Sequence, residues 1–391
     1  MAAETSTPYL VLARKYRSRT FDEVVGQEHV AQTLKKAIET GRVAHAYLFC
    51  GTRGVGKTSM ARILAVALND PTTDGPNPDP DPTTDEAARI FRGEDMDVIE
   101  IDAASNTGVD NVRELIENAS FRPASARFKV YIIDEVHMLS RAAFNALLKI
   151  MEEPPSHVKF ILATTEPEKV LPTILSRVQR YDFRNIPTKE IAGHLRNVVD
   201  QEKFEAEDEA LLLVAKAGNG SMRDALSLLD RLLGAGETLT ADSVVGTLGL
   251  PRQQAMFDLA GALGGGDVKA ALRQVDDLIT GGLGGESLVQ AFTEYLRDLL
   301  LIAACGKDTD LVETPVLDRK DVAGQAEAFG PAALSQNIAI LEDLKRNLRG
   351  GVGRALLDAT LVRLALAEQF TPLGVAAAGG GGGGGGDVKK K

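Results

Sequence analysis

The stretch "FCGTRGVGKTSMA" (residues 49–61) decides the fold. Its fixed positions, Gly51 and Gly56 followed by Lys57 and Thr58, match a phosphate-binding P-loop. The context agrees, with an apolar strand-like run before the loop and the helical pattern "TSMARILAVALN" after it. Glycines let backbone N–H groups turn inward around phosphates, and the following helix adds a favourable dipole. Lys57 is placed to reach the β- and γ-phosphates of a nucleotide, and the Thr58 hydroxyl to ligate Mg²⁺. The loop as a whole, Gly51, Thr52, Arg53, Gly54, Val55, Gly56, Lys57, Thr58 and Ser59, is the expected nucleotide cradle.

Working outward, short apolar runs recur at Ala46–Cys50, Asp97–Asp102, Lys129–Asp134 and Lys159–Thr164, with helical segments between them. Runs of this length read as strands buried on both faces, and their alternation with helices predicts a parallel, doubly wound α/β sheet. Ligands then bind at the C-terminal edge of the strands. The run "VYIIDE" (Val130–Glu135) ends in two carboxylates. Asp134 suits the Mg²⁺ shell, and Glu135 is placed to polarise an attacking water, which favours hydrolysis over transfer to a small acceptor. The run Asp97–Asp102 falls between the P-loop and this strand in sequence. It is read as the inserted strand of the ATPase branch of P-loop proteins. Thr165, at the next strand end, is a candidate for orienting the water.

Two arginines complete the site. Arg177 follows Ser176 at a helix end and reads either as a surface cation or as a group reaching a neighbouring subunit's nucleotide, where an arginine in trans is worth about 10³–10⁵ in rate. Ser221 and Asp224 form a Ser-x-x-Asp cap, putting Arg223 in the first turn of a helix. The macrodipole disfavours a cation there by about 0.3–1 kcal/mol. An anion opposite resolves this, so the helix start and Arg223 are expected to hold the γ-phosphate as a closing lid.

Bulk properties set limits. The 391 residues suggest several domains, and a composition that is 44% hydrophobic and 25% charged is that of a soluble protein. No signal peptide or membrane span is expected, and the cytoplasm is the default. Cys50 and Cys305 suggest no disulfide framework. A net charge of −11 argues against coating nucleic acid by bulk electrostatics. The basic stretch "ARKYRSR" (Ala13–Arg19) is a candidate local nucleic-acid surface, with a solvated arm as the favoured alternative. Pro, Asp and Thr dominate Asn69–Glu86, read as a surface loop, and the glycine-rich end Ala376–Lys391 has nothing to bury. Beyond about residue 250 the texture is amphipathic helix.

Together, "RKYRSRTFDEVVGQEHV", "GTRGVGKT", "EIDAASN", "VYIIDEVHMLS", "AFNALLKIMEEPP", "ATTEPEKVLPTILSR" and "GSMRDALSLLD" closely resemble the clamp-loader γ/τ subunits of bacterial DNA polymerase III. The resemblance is dense over about residues 8–235. It implies an AAA+ nucleotide-binding domain (1–184), a helical lid (185–246), an all-α collar (247–370) and a disordered tail (371–391). It also implies an ATP- and Mg²⁺-dependent motor in a ring with δ, δ′ and further γ/τ copies, which opens the β sliding clamp and places it on primer-template DNA held through its phosphates. Under the resemblance Gly51–Thr58 is the Walker A loop, Asp134 and Glu135 are the Walker B pair, and Thr165 is sensor 1. Arg177 is similar to the arginine finger and Arg223 to sensor 2, while Val24 and Val25 match the segment lining the adenine pocket.

The sequence departs from the family in places. Where many members carry four zinc-binding cysteines, Asp70, Asp81, Thr84 and Ala87 stand, so no zinc is expected. The family's Arg-Pro is Arg17-Ser18. The chain's end suggests the short form. A different AAA+ DNA-processing ATPase, such as a branch-migration motor, and a catalytically silent scaffold are the alternatives; the "EEPP" and "EPEKV" segments speak against the first, and intact Lys57, Asp134, Glu135 and Arg223 against the second.

Overall fold

The apolar runs do pair as one parallel sheet. The computed structural model describes residues 9–366, except 106–107, 235–237, 250, 308, 310, 313–318 and 349–352. The expected tail lies outside the described residues. Strands β1 (Ala46–Cys50), β2 (Val98–Asp102), β3 (Lys129–Asp134), β4 (Val158–Thr164) and β5 (Gln179–Asp182) lie in the order β2-β3-β4-β1-β5. Every neighbouring pair is parallel.

This order corrects one expectation. In space the strand between the P-loop strand and the Asp-Glu strand is β4, while β2 sits at the sheet edge. Sequence order alone does not reveal this, because a right-handed crossover can skip a position that a later strand fills.

Alternation along each strand splits the core in two. Tyr47, Phe49, Val130, Ile132 and Ile161 face one layer, with α2 (Glu28–Glu39), α3 (Lys57–Asn69) and α4 (Asp85–Arg92) packed on it. Leu48, Tyr131, Ile133, Phe160 and Leu162 face the other, covered by α5 (Val109–Ala119), α6 (Arg141–Glu152) and α7 (Pro172–Leu175). A short N-terminal turn, α1 (Leu12–Lys15), packs on α10 (Met222–Leu233), which lies with α8 (Thr188–Glu202) and α9 (Asp208–Ala217) in the same compact unit.

The segment that stands where the family's cysteines fall is tied down by hydrogen bonds. The Asp70 carboxylate accepts from the Thr72 N–H and hydroxyl and from Asn77, and Arg127 donates to the carbonyls of Leu68 and Thr73. Burial would raise the Asp70 pKa, but these hydrogen bonds overrule it and hold it below the usual carboxylate range. The loop ends earlier than the sequence suggests. Thr84 caps α4 by accepting from the Ala87 N–H at 3.2 Å, so Asp85 and Glu86 are already helical.

The chain divides near residue 241, and the second unit runs from Asp242. It contains α11 (Ala241–Leu248, starting at the boundary), α12 (Gln253–Gly264), α13 (Val268–Thr280), α14 (Gly285–Cys305), α15 (Arg319–Leu348) and α16 (Arg354–Ala365). One core joins them through residues such as Leu259, Phe292, Leu299, Leu341 and Leu361. Within α15 the helix is broken at Gly330 (φ 71°), just before Pro331. Among the described residues no helix is long and apolar enough to cross a membrane.

Candidate active site

The P-loop leaves β1 at Cys50 and enters α3 at Lys57. Gly54 and Gly56 take φ of 76° and 101°, a conformation that side-chain-bearing residues rarely adopt. At Gly54 the constraint is also steric, because a Cβ there would lie 1.9 Å from Ser221 Oγ. The Lys57 side chain is buried, and its ammonium donates to the carbonyls of Gly51 (2.7 Å) and Thr52 (2.8 Å). Burial lowers its pKa, opposed by the nearby carboxylates of Glu135 and Asp134. Lysine has three N–H donors, so two on the loop leave one to reach outward.

The parallel register brings the ends of β1, β3 and β4 to one sheet edge, and that is where the carboxylates meet the loop. Thr58 Oγ1 donates to Asp134 Oδ2 at 2.6 Å. A hydroxyl and a carboxylate in contact form the hard oxygen donor set that Mg²⁺ takes, and imply no softer metal. Glu135 adopts φ 47°, ψ 45°, left-handed for a residue with a side chain, at a cost of about 1–3 kcal/mol. Its Oε2 accepts from the Thr165 hydroxyl (3.0 Å) and lies 3.4 Å from His137 Nδ1. His137 in turn contacts Thr164 Oγ1 at 2.9 Å and Glu166 Oε1 at 3.2 Å. The water-orienting candidate Thr165 and the candidate base Glu135 are therefore in direct contact.

A cleft of about 250 Å³ opens at this edge. Its walls include Val24, Val25, Arg53, Gly54, Val55, Gly56, Lys57, Thr58, Ser59, Asp134, Glu135 and Arg223, all singled out in the sequence. Val24 packs against the loop, with a methyl 3.3 Å from where a Gly56 Cβ would sit. Thr52 instead hydrogen-bonds Asn185 at 2.6 Å. Arg177 is not among the cleft's walls; it bonds Glu152 (2.9 Å) and the Thr173 carbonyl (2.7 Å).

The lid helix meets the loop differently from the expectation. Ser221 caps α10 by accepting from the Asp224 N–H, as its spacing predicts. But the N–H groups of Met222 and Arg223 donate to the Gly54 carbonyl, at 3.1 and 3.4 Å. The helix start is thus already engaged with the loop, and only the Arg223 side chain is left to face an anion in the cleft.

Sequence reasoning missed Arg17, Asp102, Ile186, His194, Met222 and Leu226, which also line the cleft. They come from five separate segments; Arg17, Asp102, Met222 and Leu226 lie in stretches the sequence had already singled out, while Ile186 and His194 carried no signal. Burial lowers the His194 pKa, with Glu23 opposing, and its shielded Nε2 pairs with no described group. A neutral imidazole beside Ile186, Leu226 and the two valines suits an uncharged ring better than a phosphate.

Comparisons with known proteins give this chain's relatives. Residues 26–187 match the family "DNA polymerase III, delta subunit", 190–238 the "DNA polymerase III clamp loader subunit, ATPase lid domain", and 239–377 "DNA polymerase III subunits gamma and tau domain III". The chain is 41% identical over 366 residues to the DNA polymerase III subunit gamma/tau of Mycobacterium tuberculosis, covering 91% of this chain and 63% of that one. It is 43% identical over 310 residues to the DNA polymerase III subunit tau of Escherichia coli, covering 78% and 48%. Among solved structures, the RuvB Holliday junction branch migration motor of Thermotoga maritima is 20% identical, with a TM-score of 0.46 over 63% of this chain and 79% of that chain. The chain thus spans between about half and two thirds of the length of these curated relatives. With three adjoining clamp-loader domains matched from residue 26 to 377, the chain belongs to the DNA polymerase III gamma/tau family of clamp-loader subunits.

Proposed function

We propose that this chain is an ATP-hydrolysing motor subunit of the DNA polymerase III clamp loader, opening the β sliding clamp and placing it on primed DNA. One observation carries the reading: Thr58 touches Asp134 in a cleft walled by Lys57, Glu135 and Arg223, and Thr165, outside the cleft wall, holds Glu135 from behind. That is a complete set of groups for gripping a triphosphate and activating water. Lys57 and the loop N–H groups bind the phosphates, while Thr58 and Asp134 hold Mg²⁺. When bound, the metal neutralises charge on the β- and γ-phosphates. Glu135 accepts the proton of the attacking water at its carboxylate, and Thr165 orients both. Arg223 reads the terminal phosphate from the lid.

Arg177 serves the neighbouring subunit's site in a ring, which fits its absence from its own cleft. We assign residues 1–184 to the nucleotide-binding domain, 185–246 to the lid and 247–370 to a collar that joins this chain to δ, δ′ and other γ/τ copies in the cytoplasm. DNA is held through its phosphates.

Glu135→Gln tests the reading. The amide keeps the shape but cannot take a proton, so ATP turnover should fall about 10²–10⁴-fold while ATP still binds. Turnover near the wild-type rate would remove Glu135 from the chemistry.

A further inference from the structure

The N-terminal arm is held against the lid helices. Tyr16 donates to Glu202 on α8 at 2.7 Å, and Lys15 pairs with the same carboxylate at 2.6 Å. Tyr9 and the Leu12 N–H both bond Asp230 on α10. Held this way, the arm carries Arg17 into the wall of the nucleotide cleft. Arg17 also lines an adjoining hollow of about 430 Å³ with Arg14, Arg62, Arg92 and Arg223.

The protein pairs only some of these cations. Glu100 takes Arg62 through two hydrogen bonds, and Glu94 takes Arg92. Asp230, the one carboxylate lining the hollow, is engaged by the arm itself. Arg17 and Arg223 form no ion pair among the described residues. Burial lowers the Arg17 pKa, and repulsion from Arg62 and Arg223 adds to that, with only partial relief from Glu100 and Asp134. In a chain of net charge −11, two uncompensated guanidiniums beside one phosphate loop are costly unless an anion joins them.

We propose that Arg17 is a specificity-determining residue that grips the terminal phosphate of the bound nucleotide together with Arg223, and that the arm moves with the lid so that both arginines engage or withdraw together. This rests on the reading of the cleft as a nucleoside triphosphate site. A nucleic-acid backbone is the less favoured occupant, because Arg17 shares its cleft wall with Lys57 and Asp134, and that cleft measures only about 250 Å³.

The test is equilibrium binding of Mg-ATP and Mg-ADP to the full chain by calorimetry, for the wild type, Arg17→Gln, Arg17→Lys and Tyr16→Phe. Loss of a charge-assisted phosphate contact should weaken ATP about ten- to a hundredfold in R17Q, with ADP changed by less than about twofold. R17K should fall between R17Q and the wild type, since an ammonium keeps the charge without the planar fork. Y16F, which removes the arm's bond to Glu202 but keeps the Tyr16 ring in the cleft wall, should shift the ATP-to-ADP ratio in the same direction by less. A fall for both nucleotides in parallel, or no fall, overturns the proposal, as does an unchanged ratio with weakened binding of single-stranded DNA. If R17Q does not fold, the R17K ratio decides alone. A wild type that binds neither nucleotide overturns the triphosphate reading itself, whereas a wild type that binds both with no response to R17Q overturns only the role of Arg17.

Discussion

Lys57→Ala is expected to abolish measurable ATP binding at the concentrations that saturate the wild type. The ammonium is buried against two loop carbonyls, with burial working against its charge and Glu135 and Asp134 sustaining it. A cation kept in such a place is held for an anion. Each charge-assisted hydrogen bond to phosphate is worth about 1.5–3 kcal/mol, so losing the ammonium should weaken ATP by at least about a hundredfold. The fold should survive, because alanine removes the cost of burying a charge along with the two hydrogen bonds to the loop. Calorimetric titration together with a melting curve checks both halves. Unchanged affinity would mean that the phosphates lie elsewhere.

Arg177→Ala is expected to cut ATP turnover of the assembled ring about 10³-fold or more, with ATP affinity of the isolated chain unaffected. Magnitudes decide between its two readings. Its pairing with Glu152 is a partly exposed surface contact, with side chains 33% and 54% accessible. Such a pair is worth at most about 1 kcal/mol, so the arginine is released from it easily. Stabilising a neighbour's transition state at the level of an arginine finger corresponds to about 4–7 kcal/mol, which far exceeds that cost. The two effects also separate experimentally. A purely structural Arg177 would change the melting temperature slightly and leave turnover intact. Rings of mixed R177A and K57A subunits sharpen the comparison, since a K57A subunit lacks a working site of its own yet still offers Arg177 to its neighbour.

What the sequence made legible was local. The loop before α3, the carboxylates ending β3 and the Ser221 cap of α10 are each set within a few residues, by glycine conformation, strand burial and side chain-to-backbone bonding. What it hid depends on distant partners. Arg17 read as a solvated arm because its surroundings are fixed by Tyr16 bonding Glu202, 186 positions away. The insertion of β4 between β1 and β3 is likewise a matter of strand order that no single segment encodes. The start of α10 was expected to be free for phosphate, yet its N–H groups meet Gly54 across the fold. His137 bridges Glu135 and Glu166, and a lone histidine after "DE" gave no hint of it.

The central claim is that this cleft couples triphosphate cleavage to work on a clamp. The rate of ATP hydrolysis by the chain reconstituted with its clamp-loader partners, measured with and without sliding clamp and primed DNA, tests it most directly. The account predicts slow basal turnover that rises when clamp and primed DNA are both supplied and vanishes with Lys57→Ala. Turnover indifferent to clamp and DNA, or surviving Lys57→Ala, would contradict it.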